Sequence, residues 1–199
     1  MKEIIIKDAT SGDSELIADA IIGAIGEEIA KKMAGDSNTL KDVHQVFSNL
    51  ASRQNTQYSF KNTRIAFSEE GIPMGVCISY NGKDLKKLRY SFFTEANKIL
   101  GWNVTAEEID KLPPETDAEE YYLDTLMTLP DYRGRGVGES LIKDAAAKSR
   151  LNNKPLGLLC DPDNKNARRL YDKIGFKEVG IRPFAGHDMN HLLLVSHCL

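Results

Sequence analysis

From Leu129 to Gly138 the chain reads Leu-Pro-Asp-Tyr-Arg-Gly-Arg-Gly-Val-Gly, residue types that together suit the holding of phosphate. Glycines let the main chain approach a ligand closely and tolerate positive φ. The N–H groups that open the following helix have no intrahelical acceptor, and the helix dipole favours an anion there. Arg133 and Arg135 add positive charge at the same point. Spacing excludes two other phosphate loops. A dinucleotide fingerprint needs its third glycine where this chain has Glu139, and a P-loop needs Gly-Lys followed by Ser or Thr. Taken alone, the glycine turn also fits a solvated loop with exposed arginines.

Three further residues invite a chemical reading. Asp124 lies inside an otherwise apolar strand, where a carboxylate needs a reason: a proton to accept, a structural hydrogen bond or a bulge. Glu120, Tyr122 and Asp124 share strand parity and would line one side together. Tyr171 falls on one helix face with Ala167, Leu170 and Ile174, so its ring points inward while its hydroxyl can reach a polar gap. Asn164, after Asp161-Pro162-Asp163, is a natural helix N-cap. His187 and His191 lack the companions that would complete a metal site, so no metal is expected. Cys160, at the end of a buried strand, reads as an inert thiol. Lys86, Lys87 and Arg89 read most simply as a solvated helix face, the alternative being a cluster that meets an anionic acceptor.

These residues need elements to position them. Ile4 to Ile6 reads as a strand, followed by a turn in which Asp13 or Ser14 can cap a helix carrying Leu16, Ile17, Ala20, Ile21 and Ile25 on one face. After a loop at Gly35 to Asn38, Val43, Val46, Phe47 and Leu50 recur at helical spacing. Arg64 to Ser68 and Gly75 to Tyr80 read as strands joined by a Glu69-Glu70-Gly71 turn. The opening is thus strand, two helices, hairpin. Residues 83–114 form a charged, helix-prone insert closed by Pro113-Pro114, and the acidic run Glu115 to Glu120 reads as exposed. Tyr121 to Leu129 is a fourth strand, Val137 to Ser149 a helix with Val137, Leu141, Ile142 and Ala145 inward, and Leu156 to Cys160 a fifth strand. A helix from Asn164 to Ile174 and strands at Phe176 to Ile181 and Met189 to Val195 complete a mixed α/β sheet.

The bulk numbers narrow the classes. A length of 199 residues suits one well-cored domain spanning 1–199. A net charge of -3 gives no electrostatic reason to bind nucleic acid or an anionic membrane. Cys77, Cys160 and Cys198 are few and scattered, unlike a disulfide framework. No signal-peptide core and no apolar run of membrane-spanning length is visible, so a cytoplasmic location is expected.

The run Arg133-Gly134-Arg135-Gly136-Val137-Gly138 resembles the Arg/Gln-x-x-Gly-x-Gly/Ala motif of the GNAT acyltransferase superfamily. Asn164 to Phe176 resembles that family's second signature, Asn-x-x-Ala-x-x-Leu-Tyr-x-x-x-Gly-Phe. The resemblance implies a GNAT-like mixed, mostly antiparallel sheet with flanking helices and a cofactor gap between the fourth and fifth strands. It implies acetyl-CoA as acyl donor, with its pyrophosphate on the Arg133 to Gly138 turn and its arm along the backbone of Leu126, Met127 and Thr128. It further implies contact of Asn164 with that arm, Tyr171 as the proton donor to the departing sulfur, and an amine acceptor. Asp124 is the first choice for the base, with Glu120 or water as alternatives. The resemblance leaves the acceptor and the oligomeric state open, a homodimer being compatible with it, and a non-catalytic CoA-sensing or phosphate-binding module is the rival reading.

Overall fold

The structure, a computed structural model, describes residues 3–194. Val195, assigned above to the last strand, and Cys198 lie outside the described residues. Seven strands form one sheet in the order β1-β2-β3-β4-β5-β7-β6, with β1 at Ile5–Asp8, β2 at Thr63–Phe67, β3 at Pro73–Asn81, β4 at Tyr121–Thr128, β5 at Leu156–Cys160, β6 at Lys177–Phe184 and β7 at His187–Leu194. Every pairing is antiparallel except β4 with β5. The expected mixed, mostly antiparallel sheet is therefore present. β3 is buried from Met74 through Tyr80, as an interior strand covered on both faces must be.

Each face of the sheet carries its own core. On one lie α1 (Ser14–Ile25), α2 (Glu27–Ala34), α3 (Leu40–Ala51) and α4 (Leu85–Leu100), whose Ile17, Ile21, Val43, Val46, Phe47 and Leu50 pack with Val76, Ile78, Tyr80 and Tyr122. On the other, α6 (Val137–Leu151) and α7 (Lys165–Ile174) bring Val137, Leu141, Ile142, Tyr171 and Ile174 against Leu123, Leu156 and Leu158. The inward residues expected of the first, third and sixth helices are thus in the cores, apart from the half-buried Leu16 and Ile25 at the ends of α1.

Four expectations need correction. The opening has three helices, because the chain turns at Gly26 and restarts as α2. That helix escaped notice because it buries only the small Ala30 and Ala34, which leave a weak periodic signal. Asp13 stands at the N-cap of α1, but its carboxylate turns back to accept from Thr10 N and Oγ1. The insert holds α4 and a short α5 (Ala106–Lys111), with α4 fixed by aromatic contacts of Phe92 to Phe47 at 6.0 Å and to Trp102 at 5.9 Å. Arg89 of α4 is buried rather than solvated. Glu115, Thr116 and Glu120 are buried rather than exposed, because Arg89 and His191 supply partners that a local reading of the acidic run could not see.

Candidate functional site

The site begins where β4 and β5 part company. They pair from Tyr121 and Leu156 to Leu123 and Leu158 and no further. At that point β4 is bulged: Ser79 of β3 opposes Leu123 and Ile78 opposes Thr125, so Asp124 is the extra residue. A bulge bends its strand and raises the local twist, which turns the rest of β4 away from β5. The opening is a cavity of about 800 Å³, bounded by Asp124, Leu126, Met127 and Thr128 of β4, Leu159 and Cys160 of β5, the glycine turn and α7. The gap expected between the fourth and fifth strands is present.

At its mouth the turn leads into α6 with Gly136 as N-cap and no side-chain cap. Gly134 and Gly136 have φ of 73° and 83°, conformations that a residue with a Cβ adopts only under strain. The opening N–H groups of α6 therefore stay available to a ligand. A Cβ on Gly138 would lie 3.3 Å from both Leu170 Cδ2 and Thr128 Oγ1, so the third glycine lets α6 sit tightly beside α7 and β4. Arg133 lines the cavity and donates from Nε to Thr128 O at 3.4 Å, while Arg135 lies over the Tyr132 ring at 5.4 Å. Neither guanidinium has a carboxylate partner among the described residues. Glu139, also on the cavity wall, is tied to Lys173 at 2.7 Å and Lys143 at 2.9 Å. These lysines, Lys173 first, hold its carboxyl down to about 2. Uncapped helix N–H groups, arginines without carboxylate partners among the described residues and an adjoining strand edge fit a pyrophosphate with a pantetheine arm.

Leu126, Met127 and Thr128 pair through one edge with Cys77, Val76 and Gly75, and their other edge borders the gap, where β5 no longer pairs. Across it stands Tyr171, buried on α7 and edge-on to Phe176 at 5.5 Å. Its hydroxyl has no hydrogen-bond partner among the described residues, and the side chain lines the cavity. Burial, and secondarily Cys160 and Cys77, raise the phenol well above its ordinary value, so it keeps its proton at neutral pH. Cys160 beside it is pushed up to about 11, chiefly by burial, and stays a thiol. Asn164 caps α7, as expected, by accepting from Ala167 N at 3.0 Å, and it also lines the cavity.

Asp124 sits on the cavity wall away from the turn. Its Oδ2 accepts from Tyr80 Oη at 2.7 Å and Gln57 Nε2 at 3.0 Å, and its Oδ1 from Thr125 Oγ1 at 2.9 Å. Burial raises its pKa, and these donors together with Arg89 oppose the rise. Tyr122 follows on the same face, its ring 5.8 Å from that of Tyr80, and its hydroxyl is 3.5 Å from Glu115 Oε2. Glu115 Oε1 accepts from Arg89 Nη2 at 3.0 Å. Burial, then the Asp124 charge, push Glu115 up to about 7 against the pull of Arg89.

Glu120 belongs to a separate closed set and is absent from the cavity wall. Its Oε2 accepts from Thr116 Oγ1 at 2.7 Å and meets His191 Nε2 at 3.1 Å, while Arg182 Nε donates to His191 Nδ1 at 3.1 Å. Burial works to raise the Glu120 carboxyl, but the His191 and Thr116 contacts outweigh it and hold it low. The structure thus separates the two acidic candidates that strand parity grouped. Nothing in the sequence marks Gln57, Tyr80 and Glu115 as site residues, and Arg89 enters there only with Lys86 and Lys87, as a surface cluster. A clue lay in the excess of buried-strand tyrosines around a lone carboxylate.

A family model described as Acetyltransferase (GNAT) family matches residues 57–176. An uncharacterized protein of Mycobacterium leprae (strain TN) is 36% identical over 64 residues, which cover 32% of this chain and 17% of that protein. An N-acetyltransferase from Staphylococcus aureus Mu50 superposes with a TM-score of 0.74 at 22% identity, covering 96% of this chain and 100% of the other. A structure described as an acetyltransferase gives 0.73 at 25%, over 95% and 97%. The NatC complex bound to Gag peptide and CoA gives 0.53 at 17%, over 96% and 98%.

Proposed function

From the premise that this chain belongs to the GNAT acetyltransferase family, we propose that it moves an acetyl group from acetyl-CoA to a primary amine by direct transfer. The observation that carries this reading is one cavity bordered at its mouth by an uncapped glycine turn, on one flank by a buried phenol without a hydrogen-bond partner among the described residues and on the other by a half-buried carboxylate. The CoA named in the NatC neighbour's description is consistent with that donor.

Acetyl-CoA, when bound, supplies the acetyl group as an activated thioester. The Arg133 to Gly138 turn binds its pyrophosphate through backbone N–H groups, with Arg133 and Arg135 adding charge. The free edge of Leu126, Met127 and Thr128 orients the arm and offers an N–H to the thioester carbonyl as negative charge develops there. Asn164 lies close enough to the same gap to steady the arm while capping α7. Tyr171 Oη holds a proton through the neutral range and delivers it to the departing sulfur. Asp124 takes the proton from the attacking nitrogen. Glu120, engaged by Thr116 and His191, is the weaker candidate on geometry. No helix among the described residues is long and apolar enough to cross a membrane.

The test is a panel of a diamine, an aminoglycoside, an amino acid and a short peptide, each offered with acetyl-CoA while free thiol and acetylated product are followed. Amine-dependent thiol release with stoichiometric N-acetyl product is expected. Tight CoA binding with no product from any amine would favour a sensing module, and preference for ATP over CoA would favour a phosphate-binding one.

A further inference from the structure

Two carboxylates, the half-buried Asp124 and the buried Glu115, belong to one packed set of polar side chains, in which Arg89 is paired with Glu115. The set can be followed atom by atom. Asp124 Oδ2 is 2.7 Å from Tyr80 Oη, Tyr80 packs edge-on to Tyr122, Tyr122 Oη is 3.5 Å from Glu115 Oε2, and Glu115 Oε1 is 3.0 Å from Arg89 Nη2. Every element packed around the pair contributes a group: Gln57 and Tyr58 from the segment before β2, Tyr80 from β3, Arg89 from α4 and Tyr122 from β4. Arg89 also donates from Nη1 to Leu112 O and from Nη2 to Pro113 O.

Two ionised carboxylates joined through Tyr80 and Tyr122 in a poorly solvated interior, with Arg89 beyond Glu115 as the one cation in the set, are one positive charge short. Such pairs keep a proton that isolated carboxyls lose. The two ends are unequal. Asp124 borders the cavity, where water can hydrate its charge, and it accepts from three neutral donors. Glu115 is closed off from the cavity, and its contact with Tyr122 is long enough to serve either oxygen as donor. We infer that Glu115 is a positioning residue for the acceptor-side chemistry: it carries the one proton the pair retains, and so leaves Asp124 ionised and able to receive a proton from the acceptor nitrogen. In the transfer the nitrogen lone pair forms the new bond to the acetyl carbon, the N–H proton passes to Asp124 Oδ, and the C–S bond breaks with its electron pair leaving on sulfur, which takes the Tyr171 proton, while the Glu115 proton stays where it is. This role rests on the amine-acetylating reading above. The raised value of Glu115 near 7 agrees with it.

Glu115→Gln tests the idea, because the amide mimics a permanently protonated Glu115 at nearly the same size. Carbon-13 NMR of the side-chain carboxyls, with Asp124 assigned through Asp124→Asn, should show Asp124 titrating in two steps in the wild type and in one step in Glu115→Gln. In parallel, kcat/KM for the best amine of the panel should lose its inflection near pH 7 in Glu115→Gln while its acid limb stays in place and its neutral rate remains within about threefold. The amine's own ionisation is common to both enzymes and cancels in the comparison. Arg89→Lys, which keeps the cation, should preserve the wild-type pattern and serves if the amide variant folds poorly. A single-step Asp124 titration in the wild type, or superimposable profiles for the two enzymes, would overturn the role. A panel without any turnover would sink the amine reading and the role with it, whereas the NMR titration would still decide whether Glu115 holds the proton.

Discussion

The cavity has two unlike flanks. The turn and α7 come from two short continuous stretches, 129–138 and 164–176, and work through backbone N–H groups, positive-φ glycines and exposed arginines. The opposite flank is assembled from Gln57, Tyr80, Arg89, Glu115 and Asp124, spread over almost 70 residues and buried. A flank that binds through main chain needs only its local conformation, so it can be compact in sequence. A flank that must hold charge away from water needs partners on every side, and a single segment cannot supply them. The first arrangement suits a ligand that does not vary, and the second lets the insert between β3 and β4 shape what is accepted.

The sharpest way to break this comparison is at Tyr171, which stands between the flanks. Tyr171→Phe keeps the ring against Phe176 and removes only the proton donor. Turnover should fall by about 10²–10⁴-fold with acetyl-CoA affinity little changed by calorimetry, and equal rates would remove the acid role. On the buried flank, Asp124→Asn should cost about 10²–10³-fold in kcat/KM near neutrality. The sign of its pH effect follows from the raised carboxyl: activity should climb as pH rises through the Asp124 ionisation, and the asparagine variant should lose that climb. An unaltered profile at normal rate would return the base to Glu120 or water.

On the backbone flank the effects should be smaller and fall on binding. Gly136→Val forces a β-branched residue toward φ of 83°, and strain of this kind, about 1–3 kcal/mol, corresponds to an acetyl-CoA Kd raised roughly 10–100-fold if the turn relaxes to escape it. The far-ultraviolet spectrum should be unchanged. Unchanged Kd would defeat the cradle. Smallest is Asn164→Ala, which removes the acceptor for Ala167 N. A lost N-cap costs about 1 kcal/mol, a drop of about 2–4 °C in Tm for a chain of this size. A fall in acetyl-CoA affinity beyond what that destabilisation explains would reveal the contact with the arm.

The same contrast decides what was legible in the sequence. The glycine turn, the cap at Asn164 and the inward Tyr171 were readable because their meaning lies in neighbouring residues and fixed periods, whereas the gap beside β4 came only from the resemblance to the GNAT family. Arg89 was read as solvated and the run from Glu115 as exposed, because charge alone signals surface. Burial of both followed from their meeting across 26 positions, which no local pattern reports. α2 was missed for a third reason: alanines pack closely but signal weakly.

The bulge at Asp124 puts β4 out of phase with itself. Tyr122 and Met127, an odd interval apart, join one core, while Leu123 and Leu126 join the other. The strand therefore works as two rulers with different zero marks, one set by the core and one by the cavity edge. Deleting Thr125 would bring the rulers back into step: Leu126, Met127 and Thr128 would keep Cys77, Val76 and Gly75 as partners, but β4 would lose the bend that opens the gap. A loss of one residue here should be harsher than most substitutions, whereas an added residue in the exposed turn between Ala185 and His187 should pass almost unnoticed.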